Sequence, residues 1–198
     1  PARVPHYPDR DIQSGACLTV FEHRMWSAGI CAHLPCVWSG ANVVRGVSPM
    51  NASSKSTLAY ADPTVIRQIL TSSRAIAVVG LSPRPDRPSH QVATYLMAHG
   101  YRVIPVNPAA DEILGERCFP DLHAIGDTVD LVDVFRNAAD CPEIVEQAGA
   151  IGARAIWFQI GVINVEAART ASARGLAVVM DRCTKIEHQA LNRSGVRL

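Results

Sequence analysis

Five short apolar runs punctuate the second part of the chain: Ala75–Val79, Arg102–Val106, Val129–Phe135, Arg154–Phe158 and Leu176–Met180. Each is rich in Val and Ile, and most are nearly continuous rather than alternating. Strands covered on both faces read this way, whereas a strand with one wet face alternates apolar and polar positions. Their starts lie 22 to 27 residues apart, the length of a strand plus a crossover helix. Helix signals fill the intervals. Asp62-Pro63 pairs an N-cap with a proline at the first helical position, ahead of Thr64–Ser72, where Val65, Ile66, Ile69 and Leu70 share a face. Ser89 is read as the cap of a helix through His99 that stops at Gly100. Cys141-Pro142 opens a helix to about Gly152, Asn164 caps one that runs to Arg174, and Lys185–Asn192 closes the series. The link from Asn107 to Thr128 reads as a loop with at most a short helix. Right-handed crossovers then predict an α/β, doubly wound, three-layer domain with a mostly parallel five-stranded sheet.

Residues 1–49 show no such periodicity, yet hold half of the six cysteines and two of the three tryptophans. Between them and the regular part lies Met50-Asn-Ala-Ser-Ser-Lys-Ser-Thr, a polar stretch of the kind that begins a soluble protein. The reading is an irregular extension over 1–49, upstream of a natural start at Met50 or poorly ordered, then a linker over 50–61 and one domain over 62–198. A small N-terminal subdomain or partner-binding arm is the rival. Met25–Val44 lacks charged residues but is interrupted by His33 and Pro35, too broken for the ~20 apolar residues of a membrane span. A net charge of +1 gives no reason to expect a nucleic-acid or anionic membrane partner. No two cysteines form C-x-x-C, which argues against a zinc knuckle or redox dithiol. Reduced thiols and a cytoplasmic setting are the default.

Ligands of such sheets lie outside the carboxyl ends of the strands. Those ends read Gly80-Leu81-Ser82, Asn107-Pro108, Phe135-Arg136, Gln159-Ile160-Gly161 and Asp181-Arg182-Cys183. In the first loop, Gly80 permits a tight turn, Ser82 offers a hydroxyl, and Arg84 and Arg87 add charge. The helix that starts at Ser89 and His90 aims free N–H groups at the same place, which favours phosphate. A stiff surface loop held by Pro83, Pro85 and Pro88, with solvated arginines, is the plainer reading. The second strand narrows the choice. An NAD site places Asp or Glu near its end; Asn107 stands there instead, and a neutral group admits a 3′-phosphorylated adenosine. The chain has no G-x-x-x-x-G-K-[ST] motif for a P-loop.

Six blocks, in order, carry a resemblance: "VVGLSPRPDRPSHQVATYL", "GYRVIPVNP", "ILGERCFPDL", "VDVFR", "IWFQIGV" and "VVMDRCTKIEH". Across roughly residues 62 to 192 the chain resembles the stand-alone CoA-binding domain proteins, which are similar to the CoA-binding domain of the succinyl-CoA synthetase alpha subunit. The resemblance implies a Rossmann-like domain that binds coenzyme A or an acyl-CoA, with a second copy or partner subunit compatible. It implies that Gly80, Ser82 and the helix start at Ser89–His90 face the pyrophosphate, and that Arg84 or Arg87 meets the 3′-phosphate. Asn107 and Pro108 would border the adenosine, Phe135 and Arg136 the next part of the groove, and Gln159, Ile160 and Gly161 the pantetheine. The synthetase reaction is not implied, because its phosphohistidine domain and nucleotide-binding subunit have no counterpart among these blocks. No catalytic or metal-ligating set stands out. Cys183, beside Arg182 and Lys185, is either a thiol within reach of CoA or a half-buried strand-end residue. Asp133, on a strand face with Phe135, is read as a hydrogen-bonded structural carboxyl, and His188 as a packing residue. Two rival functions follow: an NAD(P)-dependent oxidoreductase, and a CoA-linked thiol redox protein using Cys183.

Overall fold

The computed structural model describes residues 60–196; the expectations for residues 1–49 and for Met50 lie outside them. The first described turn belongs to the domain: the Tyr60 carbonyl accepts from the Met180 N–H at 2.9 Å, and its side chain packs on the core.

Helix α1 spans Pro63–Ser72 and starts as the sequence indicates, with the Asp62 carboxylate accepting from the Thr64 N–H at 2.7 Å. It buries Ile66, Ile69 and Leu70. Strands β1 (Ala75–Val79) and β2 (Arg102–Val106) flank α2 (Pro88–Ala98). β5 (Leu131–Val134), α3 (Cys141–Ala150), β6 (Ala155–Phe158), α4 (Val165–Ala173), β7 (Ala177–Met180) and α5 (Thr184–Arg193) follow. Between β2 and β5 a two-stranded hairpin forms from β3 (Glu112–Ile113) and β4 (Glu116–Arg117). This corrects the expectation of a plain loop there. The turn holds Leu114 at φ 59° and Gly115 at φ 78°, a two-residue connection without the Asn-Gly or Asp-Gly signature that would have announced it.

The main sheet has the order β2-β1-β5-β6-β7, and every pair in it is parallel. β1, β5, β6 and β7 are buried almost throughout, as continuous apolar runs require. β2 lies at an edge and accommodates Pro105. Arg102 N–H donates to Arg74 O and Gly80 N–H to Val106 O, so residues 102, 104 and 106 face β1 and the Pro105 nitrogen faces outward. Phe119 extends that edge by one bridge to Val106.

Two apolar layers sandwich the sheet. On one side α1 and α2 bury Ile66, Leu70, Val92 and Leu96 against Ile76, Val78, Leu131 and Trp157. On the other, α3 and α4 bury Ile144, Val145, Ala168 and Ala171 against Ala77, Val132, Ile156 and Phe158. Trp157 and Phe158 are thus core residues, one for each layer. No described helix is long and apolar enough to cross a membrane.

Candidate functional site

From β1 the chain crosses to β2 on one side of it and then to β5 on the other. The topological switch point therefore lies between the carboxyl ends of β1 and β5, where open α/β sheets leave a crevice. A cleft of about 180 Å³ opens there, lined by Val79 and Gly80 from β1, Val106 and Pro108 from β2, and Arg136 from β5. Pro120, Asp121, Asp140, Glu143, Ile144 and Gln147 complete its wall. Gly80, Pro108 and Arg136 were expected at the mouth and are brought together. The second group was not foreseen as lining. Pro120 and Asp121 belong to the irregular link, and the others to the 3-10 turn Ala138–Asp140 and the first turns of α3; no strand-end rule points to either.

Gly80 has φ 83°, and a Cβ placed there would meet Arg136 Cδ at 3.0 Å. The position needs glycine for its backbone and for the Arg136 stem crossing it. Arg136 Nε in turn donates to Asp140 Oδ2 at 3.1 Å. With Asp121, Asp140 and Glu143 against one arginine, the cleft is net acidic. Its volume is below the ~300–1,000 Å³ of a typical small-molecule pocket, enough for one portion of an extended ligand.

The loop from Gly80 to Pro88 is held by its own polar groups. Ser82 N–H donates to Ser89 Oγ at 3.1 Å, and Arg84 N–H to Ser82 Oγ at 3.2 Å. The His90 ring bonds the Ser82 carbonyl through Nδ1 at 3.0 Å. A carbonyl only accepts, so Nδ1 carries the proton and Nε2 is the acceptor of the neutral ring. Ser89 is not the cap: Arg87 holds that position without a side-chain bond, and Pro88 leads the helix. The Ser89 hydroxyl is turned to the loop instead, and it is buried. Arg84 makes an exposed two-point pair with Asp86 at 2.8 and 3.1 Å, whereas Arg87 makes no ion pair among the described residues.

Asn107 Nδ2 donates to the Leu81 carbonyl at 2.8 Å, and its Oδ1 accepts from the Ala109 N–H at 2.9 Å. The side chain clamps the β1 loop to the β2 loop, a reason for asparagine independent of any ribose. Phe135 is half-buried and packs toward the α2 layer, away from Arg136.

Gln159 is 4% exposed, and its Nε2 lies 2.8 and 3.0 Å from the two carboxylate oxygens of Asp133 and 2.8 Å from Thr184 Oγ1. The Thr184 hydroxyl donates to Asp133 Oδ2 at 3.0 Å. Its amide nitrogen is thus spent inside the protein, joining β5, β6 and the start of α5. Burial pushes the Asp133 carboxyl up to about 7, with the bonds from Gln159 and Thr184 pulling the other way. Ile160 and Gly161 are exposed beyond it. Cys183 is half-buried at the N-cap of α5, and its side chain packs on the α1/α2 layer. At the opposite edge of the sheet, Asp130 is structural. Burial works to raise its pKa, but the N–H groups of Ala75 and Arg74, with Arg154, hold it below its ordinary value.

Comparison with known proteins agrees with this architecture. The chain matches the CoA binding domain family over residues 74–189. It is 42% identical over 123 residues to the uncharacterized protein YneT of Bacillus subtilis, covering 62% of this chain and 91% of that one. It is similar to the solved structure of a hypothetical protein from Pyrococcus horikoshii, with a TM-score of 0.64 and 43% identity over 66% of this chain and 92% of that one. An ADP-forming acetate–CoA ligase of Archaeoglobus fulgidus is 31% identical over 81 residues, which are 40% of this chain and 12% of the enzyme.

Proposed function

This chain belongs to the CoA binding domain family, and on that premise we propose that it holds coenzyme A, or an acyl-CoA, across the carboxyl ends of β1, β2, β5 and β6. The observation that carries the reading is the cleft at the switch point, walled by Gly80, Pro108 and Arg136. Its size and its apolar-plus-acidic lining suit the adenine ring better than a phosphate. Val106, Pro108, Pro120 and Ile144 supply the apolar surface, and the carboxylates accept from an exocyclic amine. Asn107 shapes the rim by clamping the two loops rather than by reading the ribose. The phosphates belong on the neighbouring loop, where the first turn of α2 presents free N–H groups and Gly80, Ser82, Ser89 and His90 fix the backbone. Arg87, without an ion pair among the described residues, is the better match to the 3′-phosphate than Arg84, which Asp86 already engages. The pantetheine then runs past Phe135 toward Ile160, Gly161 and Cys183, with Gln159 beneath as support. On this reading the ligand-binding unit is 62–198, and the protein works in the cytoplasm as a carrier, a sensor or a subunit of a larger assembly, without a catalytic centre of its own.

Calorimetric titration of the purified protein with CoA, NAD and NADPH tests this. Saturable binding of CoA and none of the nicotinamide cofactors is expected. NAD binding at micromolar affinity with no heat from CoA would overturn it.

A further inference from the structure

The segment Gln159–Val162 is a four-residue turn closed by Val162 N–H donating to Gln159 O at 2.9 Å. Gly161 is its third residue, at φ 81°, while Ile160 has no positive φ. That combination is a type II turn. Types I and II differ by a flip of the central peptide, which here joins Ile160 to Gly161. The flip decides which way the Gly161 N–H and the Ile160 carbonyl face, because the two are held opposite each other in one plane. A side chain from another element makes the choice: Asp181 Oδ1 accepts the Gly161 N–H at 2.9 Å. Asp181 follows β7 and is at φ 58°, a conformation that non-glycine residues seldom hold. The Trp157 indole N–H donates to the Arg182 carbonyl at 2.7 Å and fixes the backbone next to it. Beneath the turn, Gln159 is locked by Asp133 and Thr184.

We infer that Asp181 is a positioning residue for the far end of the ligand: by holding the Gly161 N–H it turns the Ile160 carbonyl outward as a preset acceptor for an amide-bearing arm. The inference rests on the reading of the groove given above, in which the pantetheine, with its two amide N–H donors, passes this turn. Ile160, 62% exposed, adds an apolar surface beside that acceptor. A preset turn has no peptide flip to complete on binding, so the contact is made without reorganisation.

The test separates the two ends of the ligand. CoA and 3′-phosphoadenosine 5′-diphosphate, which lacks the pantetheine, are titrated against the full chain and against Asp181→Asn, Asp181→Ala and Asp181→Gly. The Ala and Gly variants are expected to weaken CoA binding about tenfold and to leave the truncated ligand unchanged. Asn keeps an acceptor oxygen and tolerates positive φ, so it should behave as the parent does. Gly relieves the backbone strain, so it reports on the lost acceptor even if Ala folds poorly. Equal weakening of both ligands, or of neither, overturns the inference. So does a parent protein that binds both ligands equally well, although the groove reading then survives. A parent that binds neither removes that reading and the inference with it.

Discussion

Asn107 donates to the Leu81 carbonyl and accepts from the Ala109 N–H, two roles that an aspartate cannot both fill. Asn107→Asp replaces the donor by a charged acceptor facing a carbonyl. We expect a loss of about 1–3 kcal/mol of unfolding free energy from the unmade bond, seen as a lower urea midpoint without ligand. An unchanged midpoint would mean that the clamp does not hold the loops. Asp133 couples the stability of the fold to pH. Its ordinary value is 3.8, and in the fold it is about 7. Between these the folded protein binds the proton and the unfolded chain releases it. The contribution is therefore present in full below the ordinary value and is lost as pH rises through about 7. Measured against Asp133→Asn, the parent should lose about 3 kcal/mol of stability from pH 5 to pH 8. Parallel stability curves for the two proteins would refute this.

Elements meet through a second buried polar feature, the seam between α2 and α5. His188 of α5 is 1% exposed, and its Nδ1 lies 2.9 Å from the Tyr95 hydroxyl of α2 and 3.3 Å from Asn192 Nδ2. Both neighbours can donate, so Nδ1 accepts and the proton is on Nε2, which has no hydrogen-bond partner among the described residues. The rings of Tyr95, His99 and Tyr101 surround it at 5.1 to 5.4 Å between centroids. Burial, with His99 nearby, pushes the imidazole below its ordinary value of 6.5. A depressed base favours the neutral form in the fold. Its stability is present above 6.5 and is lost as pH falls. His188→Phe should therefore flatten the acid limb of the stability curve below about pH 6.5, measured by denaturation at each pH. An acid limb as steep as the parent's would clear His188 of that role.

For the whole molecule, the family match covers 74–189, and two apolar layers enclose the sheet within 60–196. A chain beginning at Met50 is expected to keep the thermal midpoint within about 2 °C and to gain the same increment on adding CoA. A fall of many degrees would assign residues 1–49 to the folded unit. The layered fold was legible because each strand buried on both faces must be apolar along its length, and α1, α3 and α4 announce themselves by Asp62, Pro142 and Asn164 at their starts, whereas α2 carries no such cap. β1 and β2 have the predicted bounds; β5 is shorter than Val129–Phe135, because its ends join β1 by the single bonds Asp130 N–H to Ala75 O and Phe135 N–H to Val79 O. The hairpin at Leu114-Gly115 was hidden, since leucine gives no sign of a positive φ.

The α/β layering, the parallel sheet and the loops that end at its carboxyl edge are written in the order of residues along the chain. These follow from local periodicity and from caps that act within a few residues. Which polar side chains at that edge face outward depends on partners that folding brings near. Asn107, Ser89 and Gln159 look like ligand contacts in the sequence, yet each satisfies a neighbouring group from a different part of the chain. Asp121 and Glu143 carry no signal, yet line the cleft. A buried polar atom must find a partner, and in this fold the side-chain nitrogens of Asn107 and Gln159 each find one 26 residues away, at Leu81 and Asp133.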